Sequence, residues 1–149
     1  LSSSQVCDST DYRQLRCVVE LDNKQNYFHS ANVENAFVKY DFQDIKICPT
    51  HYSIRTRHDY GKTHQHLKNW VIEGSNTDLD NDWIVLDSRN NIEFLDDANV
   101  VHTFDIQNQN TQFYRYIKLR QTGLNSSNAY YYLTFSALEF HGSIAKINE

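Results

Sequence analysis

From about residue 36 onward the chain is built of short runs in which apolar and polar residues alternate, each bounded by Asn, Asp, Gly or Pro. In residues 36–42, Ala36, Val38, Tyr40 and Phe42 fall on one side of a period-two pattern and Lys39 and Asp41 on the other, which predicts a half-buried strand. Tyr52 and Ile54 alternate with His51, Ser53 and Arg55, and Pro49, which cannot donate to a ladder, is expected to begin that strand or lie on an edge. Trp70 and Ile72 alternate with Asn69, Val71 and Glu73 before the turn residues Gly74-Ser75-Asn76. Trp83-Ile84-Val85-Leu86 is apolar on both faces and predicts an inner strand. Further strands are predicted around His102, Phe104 and Ile106, over residues 113–120 and over residues 133–140, giving about seven to eight in all. No stretch keeps an i, i+3, i+4, i+7 stripe for three turns, so the fold class is all-β with at most short helices. The expected core is Trp70, Trp83, Phe104, Ile117, Leu119, Phe135, Leu138 and Phe140.

The length of 149 residues allows one ordinary domain, which we place at residues 13–149 behind a polar lead-in at residues 1–12. With no Met anywhere and Leu1 at its start, the module is expected to be part of a longer chain. Mean hydropathy of −0.67 and the lack of a long apolar run predict no membrane span. A formal charge of −5 argues against nucleic acid and basic membrane-surface binding. Tyr 10, Phe 8 and Trp 2 against Gly 4 and Pro 1 suit pleated sheets. Cys7, Cys17 and Cys48 are expected to be free thiols of an intracellular, cytoplasmic protein, while the sequon Asn125-Ser126-Ser127 points weakly the other way.

Five blocks in order carry a family resemblance: His51-Tyr52-Ser53-Ile54-Arg55; Leu67 through Asn76; Trp83 through Leu86; Phe113 through Gly123; and Leu133 through Gly142. Across residues 21–144 the chain resembles the discoidin, or coagulation factor V/VIII type C, domain, and most of all its intracellular multidomain branch. The resemblance implies a galactose-binding-like jelly-roll β-sandwich of two antiparallel sheets with long loops at one end. Members that insert into membranes carry apolar and basic spikes. Here the loops are polar, with Leu124 the only aliphatic tip, so membrane insertion does not carry over.

The loop at residues 57–66 is the densest polar cluster. Sugar-binding members of the fold set an aromatic platform beside Arg, His or Asn donors, and Arg57, His58 and Tyr60 are of those types at a resembling position. These side chains could equally be solvated, with Arg57 paired locally. His64-x-His66 near His58 and Asp59 has a zinc-like spacing, yet exposed histidines explain it better, and no metal site is assigned. The resemblance implies no cofactor apart from a Ca²⁺ that Asp22, Asn26 and Glu139 would supply with hard oxygens. Arg115, Lys118 and Arg120 form a basic stripe with Tyr114 and Tyr116 that reads as the outer face of a sheet. No nucleophile elbow, phosphate-cradling loop or reactive-cysteine motif is present, so no enzyme is expected.

The expected function is a non-catalytic adaptor that contacts a protein partner or a large assembly, with a lectin-like galactose-type glycan domain as the alternative. Three loops should converge at one end and offer Asn23, Tyr27, Arg57, His58, Tyr60, His64, His66, Asn125, Asn128 and Tyr130 as the ligand-binding set.

Overall fold

A computed structural model describes residues 2–3 and 27–147. Among these residues ten strands follow one another: β1 Ser2–Ser3, β2 Phe28–His29, β3 Phe37–Asp41, β4 Ile45–Arg55, β5 Trp70–Ser75, β6 Ile84–Arg89, β7 Val101–Asp105, β8 Tyr116–Gln121, β9 Thr134–Phe135 and β10 Ala137–Lys146. All pairings are antiparallel, and no helix occurs among the described residues. The larger sheet runs β1-β3-β8-β5-β6, the second β10-β4-β7, and β2 pairs with β9. The all-β sandwich read from the period-two pattern is therefore the fold.

Alternation does the sorting. Val38 and Tyr40, Ile72, Leu86, and Ile117 and Leu119 point inward from the larger sheet, meeting Tyr52, Ile54, Phe104 and Leu138 from the smaller. Trp70 fills the middle, fully buried, with its ring edge-on to Phe104 at 5.2 Å between centroids. Two buried hydroxyls tie the sheets. Tyr40 Oη donates to the Leu138 carbonyl at 2.8 Å. Tyr52 Oη donates to Asp87 and accepts from Trp70 Nε1 at 2.9 Å, while Arg89 forks onto the same carboxylate.

Three expectations are corrected. Trp83 lies just outside β6, half-buried beside the Lys118 ammonium, because β6 is an edge strand rather than an inner one. Ile84 and Val85 are accordingly 42% and 45% exposed. Apolarity on both faces of this run marks a surface and not the centre of the sheet. The outer edge of β6 is nevertheless capped: Asn108 N donates to the Leu86 carbonyl, Asn108 Nδ2 to that of Val85, and Gln107 Oε1 accepts from Ser88 N. Pro49 sits inside β4, beyond its last residue paired with β7 and next to a bulge at Thr50 of β4 itself, so its missing donor breaks no ladder. Gly142 makes the bulge fit, since a Cβ there would lie 2.1 Å from the Cys48 carbonyl oxygen. Finally, Ser2–Ser3 of the expected lead-in pairs with β3.

Cys48 is a free thiol near the Asn110 carbonyl. Cys7, Cys17, Asp22, Asn23 and Asn26 lie outside the described residues, and Glu139 faces His141 at 3.8 Å.

Candidate functional site

Register places four connections at one end of the sandwich: residues 30–36 before β3, 56–69 between β4 and β5, 90–100 between β6 and β7, and 122–133 after β8. They are joined to one another by hydrogen bonds. His66 N donates to Ser126 Oγ at 2.9 Å and Ser126 N to the His66 carbonyl at 2.8 Å. Tyr131 N donates to Asn32 Oδ1, and Thr63 N to Asp96 Oδ1. Thr63 and Gln65 have φ of 62° and 70°, which non-glycine residues adopt only where their surroundings enforce it.

Arg57 organises this end. Its guanidinium lies 4.0 Å from the Tyr27 ring centroid and 4.5 Å from that of Tyr60, and it forks onto Asp59 at 2.6 and 3.0 Å. Burial works to raise the Asp59 pKa, but the hydrogen bonds and charge of Arg57 prevail and hold it below the usual carboxylate range. His66 is fully buried, and its Nε2–H donates to the carbonyls of Tyr60 and Gly61 at 2.7 and 2.9 Å, closing the loop on itself. Asn125 is also fully buried: Nδ2 donates to the Tyr132 carbonyl and Oδ1 accepts from Ser127 N and Oγ. Asn128 turns the chain at φ 58° and accepts from Lys68 Nζ at 2.8 Å.

The structure thus divides the predicted set. Tyr27, Arg57, His66 and Asn125 were expected to meet a ligand. Instead they are buried, with the Arg57 fork, the His66 Nε2 and the Asn125 amide all satisfied internally, because loops this long need polar anchors to hold one shape. They form the frame. His58, Tyr60, His64, Asn128 and Tyr130 stand exposed on it. Tyr60 is 48% exposed and stacks on His64 with centroids 5.4 Å apart. A band of rings runs on through Tyr130, Tyr132, His29 and Tyr27 to His58, at 4.9 to 6.4 Å between successive centroids. Asn23 lies outside the described residues.

One contributor was missed. Loop 90–100 carries Phe94, 61% exposed and stacked flat on His102 at 4.8 Å. The sequence gives it no dense polar cluster; the signal was the lone Phe between Glu93 and Leu95 in a segment without alternation. Among the described residues no group of three metal-ligating side chains comes together, and no helix is long and apolar enough to cross a membrane.

Residues 9–144 match the family described as Sad1 / UNC-like C-terminal. The chain is 25% identical over 138 residues to the E3 ubiquitin-protein ligase Ufd4 of Drosophila melanogaster, and 28% over 119 residues to the E3 ubiquitin-protein ligase hecd-1 of Caenorhabditis elegans. These alignments take in 91% and 80% of the chain but only 5% and 4% of the relatives' lengths. Among solved structures, a CBM32-3 module from a Clostridium perfringens family 31 glycoside hydrolase superposes with a TM-score of 0.72 at 14% identity, covering 96% of this chain and 89% of that one. An F-lectin from striped bass, Morone saxatilis, gives 0.70 at 18% identity, with 94% and 45% covered. At such identities the likeness shows the fold, the galactose-binding-like jelly roll.

Proposed function

The chain belongs to the Sad1/UNC-like C-terminal family, and from that membership we propose that it is a non-catalytic binding module of a much larger intracellular protein, docking a protein partner on its loop rim. The observation that carries this reading is how the rim divides its labour. Charged and amide groups are satisfied inside the frame, leaving aromatic faces at Tyr60, His64, Tyr130 and Phe94 as the contact surface. Tyrosine in particular supplies large contact area at low cost in side-chain entropy. In a ubiquitin-protein ligase, a module of this kind would hold a substrate or cofactor protein beside the catalytic machinery.

The carbohydrate reading is supported by the Tyr60 platform beside His58 and His64. Hydroxyl recognition, however, needs several free, convergent donors, and the Arg57 fork is occupied by Asp59. The test compares the full-length protein with a Tyr60→Ser, His64→Ser, Tyr130→Ser variant by quantitative affinity purification, alongside a glycan array with and without calcium. Loss of one or more partners from the variant with a blank array is the expected result. An unchanged set of partners with saturable glycan binding would replace the protein reading with the sugar one.

A further inference from the structure

Away from the loop rim, the outer face of the larger sheet has one ordered cross-strand row: Lys39 on β3, Lys118 on β8, Glu73 on β5 and Val85 on β6. Directly opposed residues of an antiparallel pair share a face, so these four side chains lie side by side. Most charges here are matched. Lys39 binds Asp78 at 2.8 Å, and Arg120, in the adjacent row, binds Glu73 at 2.6 Å. Lys118 is the exception. Its ammonium lies 4.1 Å from the Trp83 ring centroid and 5.6 Å from that of Phe37, and among the described residues it enters no ion pair or hydrogen bond. Burial pushes its pKa down, and Arg120 and Lys39 add to the effect against Glu73 and Asp78. Beside it, on the edge strand, Val85 is 45% exposed. A half-buried cation with no direct ion pair, pressed between aromatic rings next to an exposed valine, keeps room for a closer carboxylate than Glu73 or Asp78 supplies.

We propose that this sheet face is a second docking surface, which takes an acidic segment of a partner protein: one carboxylate pairs with Lys118, and a neighbouring aliphatic side chain covers Val85. A carboxylate that reaches Lys118 restores the compensation that burial has removed, and the ring faces of Trp83 and Phe37 exclude water around the pair. Nucleic acid is the poorer occupant. It needs a track of free cations, whereas Lys39 and Arg120 are already neutralised and the chain carries −5 overall.

The probe is a capped synthetic peptide, Asp-Glu-Leu-Glu-Asp-Leu, titrated into ¹⁵N-labelled domain, with its Asn/Gln counterpart and a ten-residue oligothymidylate as comparisons. The expected result is saturable movement of the Trp83 indole and of the Lys118 and Val85 amides with the acidic peptide only. Lys118→Gln should weaken binding by about tenfold, the size of one lost charge-assisted bond, while Lys118→Arg retains it. Both variants should remain folded, Lys118→Arg melting with the parent and Lys118→Gln slightly lower because it gives up the contact with the Trp83 ring. Equal shifts with the uncharged peptide, shifts confined to Tyr60 and Tyr130, a response to the oligonucleotide alone, or no saturable response would each overturn the proposal. Apart from shifts at Tyr60 and Tyr130, which would place the peptide on the rim, none of these results touches the rim reading, whose variants lie at the other surface.

Discussion

Replacing Arg57 by Ala removes the strut around which the rim loops close. Two ring contacts at 4.0 and 4.5 Å are each worth about 1 kcal/mol when largely desolvated. The fork onto Asp59 adds about 1 kcal/mol, since that carboxylate is 32% exposed and partly screened. The expected cost at pH 7 is therefore about 3 kcal/mol, and about half of that for Arg57→Lys, which keeps the charge and loses the fork. The pH dependence is the sharper signature. Asp59 is held below its ordinary pKa of 3.8 by Arg57, so its contribution is fully present above that value and is lost as pH falls through the depressed one. In the alanine variant the Arg57 bonds and charge are gone, leaving burial opposed only by a backbone hydrogen bond and the His58 charge, so the Asp59 pKa rises relative to the parent. Urea unfolding of both proteins should accordingly give a difference that is largest near pH 7 and shrinks below pH 3.8. A penalty under 0.5 kcal/mol at pH 7, or one that is flat with pH, would refute the account of Arg57 as the rim's strut; for scale, surface substitutions typically stay within about 0.5 kcal/mol.

Three further expectations concern the scaffold. Trp70→Ala should cost about 3 to 5 kcal/mol in chemical denaturation, as truncation of a fully buried large aromatic does, and an unchanged midpoint would contradict its inward assignment. Tyr52→Phe should cost about 1 to 3 kcal/mol, because it orphans Trp70 Nε1 and strips one bond from Asp87; stability equal to the parent would show the inter-sheet network to be dispensable. Gly142→Ala drives a Cβ into the Cys48 carbonyl and should disorder the β4–β10 bulge, read as loss of amide protection at Cys48 and Pro49's neighbours, while Ser143→Ala beside it should leave protection unchanged.

How much of this was legible in the sequence depends on how local the deciding physics is. Period-two alternation in residues 36–42 and in β8 is a property of adjacent residues and gave both strands and their faces directly. Trp83-Ile84-Val85-Leu86 misled because apolarity on two faces is common to inner strands and to exposed sticky surfaces, and only strand order separates them. The convergence of loops 57–66 and 123–130 followed from the family resemblance and is realised in the structure, while the third loop expected with them, 23–27, is described only at Tyr27. Which of their side chains would be buried did not follow. Arg57 and Asp59 are two residues apart and could be read as a pair, yet Tyr27 closes on Arg57 from thirty positions upstream. Asn125 shows the same limit: its sequon is a local pattern, whereas the carbonyls that bury it belong to a turn visible only once folded.

The cap on β6 has a consequence for how the domain is made. Ser88 precedes its partner Gln107 by 19 positions. At synthesis rates of about 5 to 20 residues per second, the strand edge, with its apolar Ile84 and Val85, emerges about one to four seconds before the residues that shield it. During that interval the nascent chain exposes an open ladder to neighbouring chains on the same message. Gln107 and Asn108, which look like ordinary loop residues, thereby act as a delayed guard against strand-to-strand aggregation. Their loss would be felt in the yield of soluble protein before it was felt in the melting temperature of the molecules that succeed in folding.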